Sequence, residues 1–300
     1  MQGLRIGHYT NQAQGTGASV FLFEQPAVGA YWLCGSSPAT AELDTLALDA
    51  HVTHINGLML TGGSAFGLAA SAGMMRWLNE QQWGWPVSHG VVPIAPVAAI
   101  YDLAVNETVF PMAEDVYQAC QTARVDDERS GRLGAGTGAS VGKLIASAAC
   151  MSGGIGRAEI LLPNGVTVLV YTVVNSVGDI YDATGKIIAG ARLANGQFAD
   201  CQQVLLDGRH IENIPSANTT LVAIFTDAVF SKSELRRIAK MAVAGIARAI
   251  APVFTCYDGD LVFAVSTGNK SASELALGTV AAEMTRQSIV AAIKDSVVID

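Results

Sequence analysis

Apolar positions in this chain come in two patterns, short unbroken runs and runs at helical spacing. Leu221–Phe225 is an unbroken run closed by Thr226-Asp227. Such a run reads as a strand buried on both faces. Gly57–Leu60 and Asp260–Thr267 read the same way. Ala158–Asn175 predicts a hairpin, because Asn164-Gly165 is a two-residue turn signal between β-rich flanks. Ser231-Lys-Ser-Glu234 has capping-box spacing, and Leu235, Ile238, Met241 and Ala242 follow on one helical face. Ser271-Ala-Ser-Glu274 repeats the signature before a final helix to about Lys294. Another apolar helix, ending near Glu80, follows Thr61-Gly-Gly-Ser-Ala-Phe-Gly67. Strands and helices mix without strict β-α-β-α alternation, which predicts layered α+β packing with helices covering sheets.

Three hundred residues allow one large domain or two small ones. No fixed-period repeat or low-complexity linker divides them, so a single domain over 1–300 is expected. Half the residues are hydrophobic and only 15% charged, enough for a large core and against disorder. The 31 glycines predict tight turns and close backbone approaches. A net charge of −8 without a basic stripe argues against nucleic acid. The residues after Met1 show no apolar signal-peptide core. The most apolar long stretch, Gly90–Val105, is broken by Pro93 and Pro96, so no membrane partner is expected. Five cysteines, Cys34, Cys120, Cys150, Cys201 and Cys256, are widely spaced without a CxxC. That argues against a disulfide framework or zinc site and fits a reducing cytoplasm. The densest charge cluster, Arg124–Arg132, reads as a solvated loop or helix end.

Candidate chemistry gathers in a few places. Gly134-Ala-Gly-Thr-Gly-Ala-Ser-Val-Gly-Lys143 invites a nucleotide reading but fails it. Thr137 stands where a P-loop needs its first glycine, and Leu144 where it needs a hydroxyl. The dinucleotide pattern fits Gly134–Ala139 in letters, but no strand precedes it. The loop is then a tight turn against a helix, or free N–H groups and a lysine beside a reacting carbonyl. The histidines are His8, His51, His54, His89 and His210, of which His51 and His54 could share a helix face; no HExxH occurs. Trp77, Trp83 and Trp85 read as core or subunit contacts. Tyr257-Asp258-Gly259-Asp260 puts two carboxylates two apart at the mouth of a strand, where they face one side and can orient an ammonium, or forms a turn with solvated acids. Asn218-Thr219-Thr220 heads the Leu221 run. Cutting before Thr219 would give that residue a free α-amine beside its hydroxyl, a nucleophile–base couple.

Together these pieces resemble the DmpA-type L-aminopeptidase/D-esterase family of self-processing N-terminal-nucleophile hydrolases (peptidase family S58), and within it the nylon-oligomer hydrolase branch. The resemblance runs from Arg5-Ile-Gly-His8 through Leu60–Gly67, Val92–Asp102, Gly134–Lys143, Val174-Asn175 and Asn218–Asp227 to Asp258-Gly-Asp260. It implies a four-layer αββα sandwich of α+β class. It also implies autocleavage between Asn218 and Thr219, giving fragments 1–218 and 219–300, and a homo-oligomer, a tetramer of processed pairs. Thr219 matches the nucleophile and Asn175 the oxyanion-stabilising asparagine. Lys143, Asp258 and Asp260 match polar groups around the nucleophile, and Tyr101 a tyrosine lining the site. Much of the family has serine as nucleophile, with serine and glutamate further on; Thr219, Asp258 and Asp260 depart from that pattern. The implied activity is hydrolysis of amides or esters of small peptides or ω-amino-acid oligomers through an acyl-enzyme, with no metal or organic cofactor. An acyltransferase of ornithine-acetyltransferase type and an unprocessed binding or scaffold protein are the competing readings.

Overall fold

The computed structural model describes residues 1–103, 108–125, 127–145, 148–209 and 218–296. Val105, Asp126 and His210, which the sequence reading touched, lie outside them. Nine strands join in one ladder: β1 (Leu4–Asn11), β2 (Thr16–Leu33), β3 (Ala39–Ala41), β4 (Ile55–Thr61), β5 (Val97–Ala99), β6 (Gly154–Leu161), β7 (Thr167–Asn175), β8 (Thr219–Ala228) and β9 (Leu261–Lys270). The order is β6-β7-β8-β9-β2-β4-β5-β3, with β1 also on β2. β8 and β9 run parallel, and β7 and β8 antiparallel.

The 18-residue β2 makes two layers from this ladder. Its first half pairs with β1 and β4, and Val28–Leu33 pairs with β9. The register on β4 shifts between Leu22 and Ala27, around Pro26, which has no N–H for a ladder bond. The two halves then face one another. Phe21 and Phe23 from one half pack among Leu169, Tyr171, Leu221, Phe225 and Phe263 from the other. Phe21 lies 5.3 Å from the Tyr171 ring and 4.9 Å from the Phe225 ring, centroid to centroid.

Helices cover both outer faces. α1 (Ser71–Glu80) and α2 (Ala113–Gln121) bury Met74, Leu78 and Val116 against Val20, Leu22 and Met59. α3 (Lys232–Ala247) and α4 (Glu274–Ser296) bury Leu235, Ile238 and Ile289 against Val170, Val222, Ile224 and Val262. The result is the expected α+β sandwich in four layers. Glycine lets α4 lie close to the sheet: a Cβ at Gly156 would sit 1.8 Å from the Ser288 carbonyl oxygen.

Local expectations hold with corrections. The hairpin turns at Gly165 with φ +80° but begins at Gly154, four residues earlier than predicted. Ser231 and Glu234 form the capping box ahead of α3. At α4 the side-chain cap is Ser273, whose Oγ accepts from the Ala276 N–H, and the Glu274 carboxylate is drawn away to Arg237. His51 and His54 lie in irregular chain, so they share no helix face. Within the Arg124–Arg132 segment Asp127 is buried, paired with Arg129 and 3.8 Å from His8. Burial holds the His8 imidazole down at about 4, against the pull of Asp127. Trp77 packs edge-on against Trp83 inside the α1 layer.

Candidate active site

The alternation of β8 decides which threonine faces which way. Leu221, Ala223 and Phe225 point between the two sheet layers, and Val222 and Ile224 point to α3 and α4. By the period of two, Thr219 faces the inter-sheet space and Thr220 the helical layer. Asn175 ends β7 directly opposite Thr219, on the same inner face as Tyr171 and Val173. An apolar run therefore ends in two polar groups side by side at the open end of the sandwich.

The bond before Thr219 lies inside a ladder. Asn218 pairs in parallel with Asp258: its N–H donates to the Tyr257 carbonyl at 3.1 Å, and its own carbonyl accepts from the Gly259 N–H at 2.7 Å. The Thr219 hydroxyl donates to the same Asn218 oxygen at 2.6 Å. Both Asn218 and Thr219 are buried.

Lys143 is brought in by the glycine loop. Gly142, at φ +74°, turns the chain so that the Gly142 and Lys143 N–H groups bond the carbonyls of Gly178 and Val177. The Lys143 Nζ then donates to Asn175 Oδ1 at 2.9 Å and to the Asn175 carbonyl at 3.1 Å. The Ser140 N–H donates to the same Oδ1 at 3.0 Å, and Asn175 Nδ2 donates to the Tyr101 carbonyl at 3.1 Å. These donors and acceptors fix which end of the amide is oxygen. The loop is thus a wall of this site, and its Gly134–Gly136 portion forms a single 3-10 turn.

Asp258 and Asp260 correct the sequence reading. β9 starts at Leu261, so neither acid stands on a strand, and both are buried in the turn before it. Asp258 Oδ2 accepts from the Thr255 N–H at 2.8 Å and the Thr255 hydroxyl at 2.7 Å. Asp260 accepts from the Thr220 N–H at 2.5 Å and the Phe254 N–H at 3.3 Å. They brace the backbone around the Asn218–Thr219 bond.

Burial sets the proton affinities. It pulls the Lys143 ammonium down to about 7, opposed by Cys150, Asp258, Asp102 and Asp260. It pushes the Asp260 carboxyl up to about 7, helped by Asp258 and opposed by the N–H donors. Asp258 is also raised by burial, against the bonds from Thr255. Asp102, beside Tyr101, is pushed up to about 6 by burial although the Gly63 N–H donates to it at 2.7 Å. Groups that change charge near neutrality, gathered around a hydroxyl, are what acid–base chemistry needs.

Thr219 opens onto a cavity of about 410 Å3 lined by Tyr101, Ser37, Thr40, Ser64 and Leu68. A larger depression of about 710 Å3 lies at the other end of β8, beside Asp227 and Lys270. It holds none of the groups described above, so the smaller cavity is the candidate substrate site. Among the described residues, no three His, Cys, Asp or Glu side chains stand together as a metal site. Nor is any described helix long and apolar enough to cross a membrane. Thr219, Asn175, Lys143 and Tyr101 come together as the sequence suggested. The Gly259 N–H and the Asp102 carboxylate were not singled out as site groups; a glycine between two acids, and an acid directly after Tyr101, were the available signals.

A sequence profile of peptidase family S58 matches residues 1–298. An uncharacterized aminopeptidase of Mycobacterium leprae is 36% identical over 296 residues, covering 92% of this chain and 80% of that one. A 6-aminohexanoate-oligomer endohydrolase of Kocuria sp. is 30% identical over 257 residues, covering 79% of this chain and 71% of that one. In fold, the chain is similar to the L-aminopeptidase D-Ala-esterase/amidase of Ochrobactrum anthropi, which has a variant of the Ntn-hydrolase fold. The TM-score is 0.74 at 17% identity, with 99% of this chain and 84% of that one covered. A β-aminopeptidase of Burkholderia sp. gives a TM-score of 0.72 at 19% identity over 97% of this chain and 84% of that one. Fold, profile and relatives agree: the chain belongs to peptidase family S58 and is a hydrolase of amide bonds.

Proposed function

We propose that the chain cuts itself between Asn218 and Thr219 and then hydrolyses amide bonds with Thr219 as its N-terminal nucleophile. The observation that carries this reading is the Thr219 hydroxyl, buried and 2.6 Å from the carbonyl oxygen of the residue before it. The hydroxyl proton passes to a neighbouring base, and Lys143, held near neutrality beside Asn175, is the base of choice. The oxygen attacks the Asn218 carbonyl, the C–N bond breaks, and the ester so formed is opened by water. The freed α-amine of Thr219, with an ordinary pKa of about 8, then serves as general base in turnover. Fragments 1–218 and 219–300 stay joined because β7 and β8 remain paired over eight residue pairs.

In turnover the Thr219 hydroxyl attacks a substrate carbonyl in the 410 Å3 cavity. Asn175 stands opposite as donor to the developing oxyanion, and water releases the acyl group. Small peptides and ω-amino-acid oligomers are the proposed substrates; the named substrate of the Kocuria relative is an oligomer of the second kind. A screen of p-nitroanilides and ω-amino-acid oligomers on processed protein identifies the acyl group. Thr219→Ala tests the nucleophile: the variant is expected to run as one chain of 31.2 kDa on a denaturing gel. If it still splits at 218/219, the assignment is wrong.

A further inference from the structure

In an N-terminal-nucleophile enzyme that matures itself, the self-cleavage step needs its own oxyanion donor. Asn175 is the group opposite Thr219, and in the uncut chain its Oδ1 and one Nδ2 hydrogen already have partners. Its Oδ1 faces Lys143 and Ser140, and its Nδ2 donates to the Tyr101 carbonyl. The scissile carbonyl oxygen accepts from the Thr219 hydroxyl and, at 2.7 Å, from the Gly259 N–H. That N–H is already aimed at the atom on which negative charge develops when the Asn218 carbon is attacked. The donor is rigidly placed: the Asp258 carbonyl accepts from Ser37, the Asp260 carbonyl accepts from Cys34 and Gly35, and both carboxylates are tied to backbone. Space is equally restricted, since a Cβ at Gly259 would lie 2.6 Å from the Ser37 carbonyl oxygen and 2.9 Å from the Thr219 hydroxyl.

We propose that the Gly259 backbone N–H is the oxyanion donor for self-cleavage, and that Asn175 is left for substrate turnover; this rests on the self-cleavage reading above. As the Thr219 oxygen bonds to the Asn218 carbon, its proton goes to the base. The carbonyl π pair moves onto the oxygen held by Gly259. Collapse returns that pair, breaks the C–N bond and places a proton on the Thr219 nitrogen. Water then adds to the ester carbon and the C–Oγ bond breaks, giving the Asn218 carboxylate and the Thr219 hydroxyl.

The test replaces a single N–H. Gly259→glycolic acid, introduced by cell-free translation, exchanges that N–H for an ester oxygen and adds no Cβ. Cleavage at 218/219, followed by intact mass, is expected to slow by about 10²–10³-fold. Gly35→glycolic acid is the control, because it removes a bond to the Asp260 carbonyl without touching the scissile oxygen; it is expected to slow cleavage by less than about tenfold. Equal slowing by both variants, or none at Gly259, overturns the donor while self-cleavage stands. A wild-type chain that never splits overturns self-cleavage and the donor with it. Should the Gly259 ester fold poorly, the Thr219→Ala precursor decides. Through-hydrogen-bond NMR coupling between the Gly259 nitrogen and the Asn218 carbonyl carbon is expected there, and its absence overturns the proposal.

Discussion

Lys143 gives a stability prediction that needs no substrate. Burial holds its ammonium at about 7, against an ordinary value of 10.5. A folded pKa below the unfolded one contributes stability that is present above the unfolded value and lost as pH falls through the folded value. Between 7 and 10.5 the unfolded chain therefore binds this proton more tightly than the folded chain. At pH 7 the folded group is half protonated and the unfolded one fully so. Integrating to pH 9 at 1.36 kcal/mol per pH unit gives a rise of about 2 kcal/mol from this group alone. Lys143→Met removes the titration while keeping an unbranched side chain of similar length. Wild type minus variant is therefore expected to rise by about 2 kcal/mol from pH 7 to pH 9. Asp260 adds to the same direction. It is held at about 7 with Lys143 opposite in charge, and removing that charge raises it further. The variant then loses stability over this window as that carboxyl ionises. Urea unfolding of both proteins in a Thr219→Ala background, which keeps the chain whole, measures the difference at constant ionic strength. Taking a difference cancels His8 and other groups that the Lys143 charge does not reach, and Asp102, which that charge holds down, moves in the same direction as Asp260. A flat difference across pH 7 to 9 would refute a Lys143 held near neutrality by burial, and with it the case for Lys143 as the base.

Three further outcomes follow from the site's geometry. Thr220→Val keeps the N–H that bonds Asp260 and loses a hydroxyl that favours the Asp260 carboxylate but is turned from Thr219, so cleavage at 218/219 is expected to stay within a few-fold of wild type by intact mass. Asn175→Ala removes the proposed turnover donor, and kcat on a p-nitroanilide substrate is expected to fall by about 10²–10³-fold with the processed chain as enzyme; an unchanged kcat would remove Asn175 from that role. Gly35→Ala would place a methyl carbon 2.2 Å from the Asp258 carbonyl oxygen and 2.4 Å from the Asp260 nitrogen. The 258–260 turn, held between that segment and Asn218, must then leave its position and disturb the Gly259 bond to the Asn218 carbonyl, and the variant is expected to accumulate uncut precursor on a denaturing gel.

The site divides between what local pattern can carry and what it cannot. The Leu221–Phe225 run announced a two-sided buried strand, and the alternation along β8 alone puts Thr219 and Thr220 on opposite faces. Which face holds the chemistry depends on β7 lying antiparallel beside it, with Asn175 opposite Thr219. No local window contains that pairing, because 43 residues separate the partners in sequence. Asp258 and Asp260 show the same limit more sharply. Two acids two apart, ahead of an apolar run, look like one face of a strand. The strand begins one residue later because Tyr257 and Gly259 are bonded to Asn218, the Asp258 carbonyl to Ser37, and the Asp260 carbonyl to Cys34 and Gly35. Pairing that turn to two distant segments folds both carboxylates inward, where backbone N–H groups meet them. Asp127 shows a local version: the Arg129 guanidinium and N–H both bond its carboxylate and make burial tolerable for an acid in a charged loop. Hydropathy sees how a residue prefers to be solvated, whereas a site is made where partners from elsewhere in the chain offset that preference. Buried polar groups with long-range partners therefore mark this site better than any single motif. The Gly259 N–H, which no side-chain pattern encodes, is the extreme case.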